Sequence, residues 1–145
     1  MIRLFKQKDA KQCSKIMLDC IENNLKSLTK ENKAFMIEVS QVEELIKKSN
    51  EIQLFVYEKN NEILGTGAFD NGEIRTMFIK PFLQGKGLGK EIINFLINLA
   101  KKKNFKKIFL KASPEAEKFY EKQGFKKTGE NNDFNFRTIL MERLI

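Results

Sequence analysis

The sequence predicts a single α/β (α+β) domain over residues 1–145. Its sheet should be mixed and mostly antiparallel, with helices on both faces. Three observations carry this. Two asparagine turns, Asn60-Asn61 and Asn71-Gly72, link three strand-like runs into an antiparallel meander. A long apolar-periodic helix then separates the third run from a fourth, which makes a βαβ unit with parallel strands. Finally, 145 residues are enough for one core and too few for two.

The elements follow in chain order. IRLF (2–5) reads as a short strand, and Asp9 stands where it could cap the next helix. That helix places Cys13, Ile16, Met17, Cys20 and Ile21 on one side. Residues 23–39 fit either a short helix or a loop, with Leu25, Leu28 and Phe35 as their apolar positions. VEELIKK (42–48) is helical. IQLFVYE (52–58), EILGTGAF (62–69) and EIRTMFI (73–79) are the meander strands, and Pro81 ends the last. From 86 to 103, Leu88, Ile92, Phe95, Leu96 and Leu99 recur at helical steps. KKIFLKA (106–112) is the strand after it. Ser113-Pro114 is a helix start, with a capping residue before a first-turn proline, and Gly124 is a stop. FKKTGE and FRTILMERL (136–144) close the sheet. The expected order is β-α-α-β-β-β-α-β-α-β-β.

Composition narrows the chemistry. There is no histidine, which removes Ser-His-Asp and Cys-His catalysis and most zinc sites. No metal site is expected. Cys13 and Cys20 lie seven apart on one helix, two turns from each other and too far for a disulfide. With no signal-peptide pattern and no long apolar run, the expected location is cytoplasmic and no membrane partner is expected.

The net charge of +8 is uneven. Residues 80–127 carry 13 Lys and 4 Glu, or +9; residues 19–51 carry 5 Lys and 7 acids, or −2. The first half-molecule suits an anionic ligand and the second mildly favours a cationic one.

The stretch QGKGLG (84–89) sits between a strand end and the long helix. It lacks the P-loop spacing and the G-x-G-x-x-G dinucleotide spacing. It still has the makings of an anion cradle: unpartnered N–H groups at a helix start, glycines that permit close approach, and Lys86 and Lys90 nearby.

Gln84-Gly85-Lys86-Gly87-Leu88-Gly89 resembles the Q/R-x-x-G-x-G/A motif of the GNAT superfamily of N-acetyltransferases. Ser113, Ala116, Phe119, Tyr120, Gly124 and Phe125 resemble that family's N-x-x-A-x-x-F-Y-x-x-x-G-F block, with serine in place of the common asparagine. The resemblance is specific over 73–125 and weak before 52. It implies acetyl-CoA as co-substrate. The pyrophosphate would lie on residues 84–90 (Gln84, Gly85, Lys86, Gly87, Leu88, Gly89, Lys90), and the pantetheine arm along Met77, Phe78 and Ile79. Ser113, Ala116 and Phe119 would line the same site. The opposite partner would be an amine acceptor, placed between residues 23–50 and the 129–136 turn. A homodimer is an open possibility for the assembly.

For catalysis the resemblance implies Tyr120 as the acid that protonates the leaving thiolate, since phenol and thiol differ little in proton affinity. Glu73, eleven residues before Gln84, is the candidate base. Glu38, Glu43 and Glu44 are alternative contacts for the amine. Two other readings stand beside the enzyme: a catalytically idle acyl-CoA-binding module, and a nucleic-acid binder motivated by the charge alone. The second lacks basic residues interleaved with aromatics on one strand face.

Overall fold

Asn60 and Asn61 both take left-handed backbone angles, φ 53° and 64°, as do Asn71 and Gly72 at 47° and 96°. Asparagine and glycine tolerate this region, and two such residues in a row make the hairpin turn that matches strand twist. The computed structural model, which describes residues 1–132 and 136–145, builds three strands on these turns: β2 (Gln53–Lys59), β3 (Glu62–Asp70) and β4 (Glu73–Ile79). The strand β1 (Ile2–Leu4) adds antiparallel to β2.

Three helices, α1 (Ala10–Asn24), α2 (Lys30–Val39) and α3 (Val42–Glu51), separate β1 from β2. The expected order allowed two. The ambiguous segment is helical because Thr29 caps it, its side chain accepting from the Asn32 N–H at 3.2 Å. No residue of α2 is buried, so its apolar periodicity was faint in the sequence.

After β4 come α4 (Leu88–Lys102), β5 (Lys107–Ala112), α5 (Glu117–Lys122), β6 (Lys126–Asn131) and β7 (Thr138–Leu144). The seven strands lie in the order β1-β2-β3-β4-β5-β7-β6, and only β4 and β5 are parallel. The sequence-derived strand and helix assignments agree with this sheet to within a few residues.

Alternation along the strands feeds two cores. Phe55 and Ile74 point to one face, where Ile92, Ile93, Leu96 and Ile97 of α4 cover them. Val56 and Ile63 point to the other, against Cys13, Ile16, Met17 and Cys20 of α1 and Leu45 of α3. Both cysteines are buried and free. Burial pushes the Cys13 thiol up to about 12 and Cys20 to about 11, so neither is a nucleophile near neutral pH.

Two capping expectations need correction. Asp9 precedes α1 but its side chain caps nothing in that helix. Its carboxylate is buried and accepts from the Arg3 guanidinium at 2.8 and 3.0 Å and from the Lys6 N–H at 2.8 Å. Arg3 also binds Glu58 of β2, so one guanidinium ties β1, the start of α1 and β2 together. Ser113 likewise makes no side-chain cap; its carbonyl accepts from the Ala116 N–H at 3.0 Å in a single 3-10 turn before α5.

Burial works against the Asp9 charge, but the Arg3 and Lys6 hydrogen bonds outweigh it and hold the carboxyl below its ordinary value of 3.8. The stabilisation is therefore complete above pH 3.8 and is lost as pH falls through the lower folded value. Asp9→Asn should cost about 1–3 kcal/mol at pH 7. Urea unfolding should show this gap between variant and wild type closing as the pH is taken below 3.8.

Candidate active site

Strand β4 carries one residue more than β3 opposite it. Thr66 faces Phe78 but Ala68 faces Arg75, so the register slips by one between them. The slip is taken up at Thr76, whose φ of 54° is unusual for a β-branched residue. The surroundings hold it there: the Thr66 hydroxyl, 0% exposed, donates to the Thr76 carbonyl at 2.7 Å.

Past this bulge β4 parts from β5. The two strands pair only at Glu73↔Phe109 and Ile74↔Leu110. Among the described residues, β4 has no strand on its β5 side from Arg75 onward. The Lys80 N–H bonds the Leu64 carbonyl, and ladder alternation then turns Phe78 toward β3 and Met77 and Ile79 toward the open edge. The Ile79 carbonyl on that edge accepts from Cys20 Sγ and from Gln84 Nε2, each at 3.1 Å.

A cavity of ≈ 820 Å³ occupies the gap. Glu73, Met77, Phe78, Ser113, Ala116 and Tyr120 all line it. The segment from Leu25 to Lys48 supplies one wall, and Asn131, Phe136 and Arg137 supply another. Residues 133–135 of the expected 129–136 acceptor turn lie outside the described residues. The α1–α2 connection reaches across the gap: the Ser27 N–H donates to Glu115 Oε1 at 2.7 Å.

Tyr120 is 7% exposed, with edge-on contacts to Phe119 and Phe125 at 5.0 and 5.8 Å. Burial alone raises its phenol above the ordinary value, so it stays protonated. The Glu73 side chain is 18% exposed, and its Oε1 lies 3.9 Å from Arg75 Nε. Arg75 also donates from Nη1 to Asp70 at 3.1 Å.

The other predicted residues, Ile79, Gln84 to Lys90 and Phe119, do not line this cavity. They form a stretch that leads away from it to the start of α4. Gly85 and Gly87 have φ 78° and 93°, and a side chain on either would meet nothing within 4 Å. These two are glycine for backbone angle, and their surroundings are open. Gly87 precedes α4, whose first intrahelical bond here is the Glu91 N–H to the Gly87 carbonyl; the N–H groups before it have no helical acceptor. Gly89 differs: a Cβ there would stand 2.9 Å from Phe119 Cζ. It is small so that α4 can pack on α5. Gln84 braces the turn, donating to Asn24 Oδ1 at 2.9 Å as well as to Ile79. Lys86 and Lys90 are exposed beside it.

The arrangement corrects one charge argument. None of the seven acids of residues 19–51 lines the cavity, so Glu38, Glu43 and Glu44 do not reach it. Lys48, Arg75, Lys111 and Arg137 do. Arg75 was open to discovery by alternation, standing two residues from Glu73 on the same strand face. Lys48 carried no such signal.

The family model for the acetyltransferase (GNAT) domain matches residues 21–143, and the chain belongs to that family. The fold is that of solved N-acetyltransferases. A GCN5-related N-acetyltransferase from Rhodopseudomonas palustris superposes with a TM-score of 0.89 at 18% identity, over 100% of this chain and 95% of that one. The PaiA N-acetyltransferase of Thermoplasma acidophilum, solved with coenzyme A, gives 0.83 at 18% identity, over 100% and 98%. An N-acetyltransferase from Staphylococcus aureus Mu50 gives 0.64 at 25% identity, over 100% and 96%. Among the described residues, no helix is long and apolar enough to cross a membrane.

The two kinds of glycine should respond differently to alanine. Gly89→Ala forces the Phe119 ring tip to move, an overpacking cost partly offset by helix propensity, so its net cost should stay below about 2 kcal/mol. Gly87→Ala should cost about 1–2 kcal/mol from its backbone angle alone. Thermal unfolding gives both costs, and adding Phe119→Leu should relieve only the first.

Proposed function

We propose that the protein is an N-acetyltransferase that moves an acetyl group from acetyl-CoA directly to a primary amine. The observation that carries this is the continuity of two features. An unpaired strand edge at Met77–Ile79 opens on a cavity containing Tyr120 and Glu73, and leads without a break to a glycine turn at a helix start. Family membership supports the same reading.

The residues present fit the donor. The turn at Gly85 and Gly87 is open, and the N–H groups there and at Leu88, Gly89 and Lys90 suit a pyrophosphate, with Lys86 and Lys90 adding charge. The outward N–H groups of Met77 and Ile79 suit the amides of the pantetheine arm; Phe78 lines the cavity while its backbone serves the β3 ladder. Ser113 and Ala116 line the facing wall beside Tyr120, and Phe119 packs against Gly89 at the head of α4. Acetyl-CoA would supply the activated thioester, and an N–H of the bulged strand would polarise its carbonyl.

Glu73 takes the proton from the acceptor ammonium, directly or through water, so that the nitrogen lone pair can form the new C–N bond. As the C–S bond breaks, the Tyr120 hydroxyl gives its proton to the thiolate sulfur. The raised Tyr120 value keeps this proton in place at working pH.

Free-thiol release from acetyl-CoA across an amine panel tests the proposal. Tyr120→Phe should lower kcat by about 100-fold or more with CoA affinity unchanged. Loss of the Tyr120 proton should not limit kcat below its ordinary value of 10, because the shift is upward. Unchanged kcat in Tyr120→Phe rules out the acid role. CoA binding with no thiol release on any amine would instead mark an idle acyl-CoA-binding module.

A further inference from the structure

We propose that the acceptor is an α-amino acid with an apolar side chain, its carboxylate received between Lys48 and Arg75 and its amino group by Glu73. This rests on the acetyltransferase reading and names the substrate class of the same cavity.

Three surfaces of the cavity match three parts of such a molecule. The first is cationic. Lys48, at the end of α3, and Arg75, on β4, both line the cavity. Among the described residues, the Lys48 ammonium has no hydrogen bond or ion pair. Its helix neighbours Glu44 and Glu51 do not line the cavity. Arg75 engages Asp70 through Nη1 and Glu73 through Nε, which leaves its Nη2 for a ligand. Burial, then the positive charge of Arg75, depress the Lys48 proton affinity, with Glu44 and Glu51 opposing. Lys48 is half-buried and stands near a second cation with no hydrogen-bonded anion of its own among the described residues, and a carboxylate seated there would pair with Lys48 and with the remaining Arg75 nitrogen.

The second surface is a single carboxylate. Glu73 is the one acidic residue among the described lining residues, and it stands two positions before Arg75 on the same strand face. Acid and base so close suit a zwitterion whose amino and carboxylate groups share one carbon. A polyamine or a lysine side chain would meet Lys48 and Arg75 with like charge.

The third surface is apolar. Leu25, Leu28, Phe35, Met36 and Val39 of the α1–α2 connection and α2 face the same space. Phe35 is otherwise largely exposed, so an apolar substrate side chain would give it cover. Lys111 of β5 and Arg137, just before β7, line the space, and Arg137 is already held by Glu130 at 2.8 and 3.2 Å.

The test compares L-phenylalanine with phenylalaninamide and phenethylamine, which keep the amine and ring but lose the anion. Thiol release from acetyl-CoA is followed for wild type and Lys48→Met, with thermal unfolding as the folding control. In wild type, kcat/KM for phenylalanine should exceed that for either neutral-tailed amine by about tenfold or more. In Lys48→Met that ratio should collapse toward one. A wild-type ratio of one or less, or a ratio unaffected by Lys48→Met, overturns the inference while leaving the acetyltransferase reading intact. Should no amine release thiol, the acetyltransferase reading fails by itself. Calorimetric binding of phenylalanine and phenethylamine to the CoA-loaded protein then decides the inference: tighter phenylalanine binding that Lys48→Met abolishes supports it, and equal or absent binding overturns it.

Discussion

A single buried hydrogen bond, from the Thr66 hydroxyl to the Thr76 carbonyl, stands where the sheet changes character. On one side of it β3 and β4 form an ordinary antiparallel ladder. On the other, β4 carries an extra residue and leaves β5 after two pairs. A β-branched residue at φ 54° is costly in isolation, and it persists because Thr66 and the flanking ladder hold it from both directions. The strand edge freed by this distortion and the cavity beside it are one feature. A straight β4 would pair with β5 to its end, and the edge at Met77 and Ile79 would be occupied.

The neighbouring elements then divide the opened space by chemistry. The α4 side offers backbone N–H groups at a helix start, which suits phosphate. The α5 side offers a dry phenol. The α2 side is apolar but unburied, and the Ser27–Glu115 contact pins its approach across the gap. The remaining wall is cationic through Lys48 and Arg75. On the proposed reading, donor and acceptor would be met from opposite ends, and neither end would read the other's ligand. That is why the glycine turn, so informative about the donor, is silent on the amine.

The three glycines of QGKGLG turned out to answer to different constraints. Gly85 and Gly87 are needed for backbone angles in open surroundings, whereas Gly89 is needed because Phe119 occupies the space beside it. Their spacing in the chain cannot separate these causes, since both select the same residue. A similar ambiguity attended Asp9, whose position before a helix fits a cap. In the fold an arginine six residues earlier claims its carboxylate.

What the sequence determined by itself was whatever depends on near neighbours along the chain. The asparagine turns, the amphipathic α4, the alternating strands and the parallel β4–β5 pair all follow from residues within one or two elements of each other. The glycine turn at the head of α4 and the Phe119-Tyr120 pair were legible for the same reason. The tertiary structure decided what depends on residues far apart. It set α2 over a cavity, brought Lys48 beside Arg75, and kept every acid of residues 19–51 out of the cavity those residues help to line. Net charge counted along a segment cannot show which side chains face inward. That is settled only when a strand from one part of the chain and a helix from another are packed together, and the direction of each side chain becomes fixed by the partner's surface.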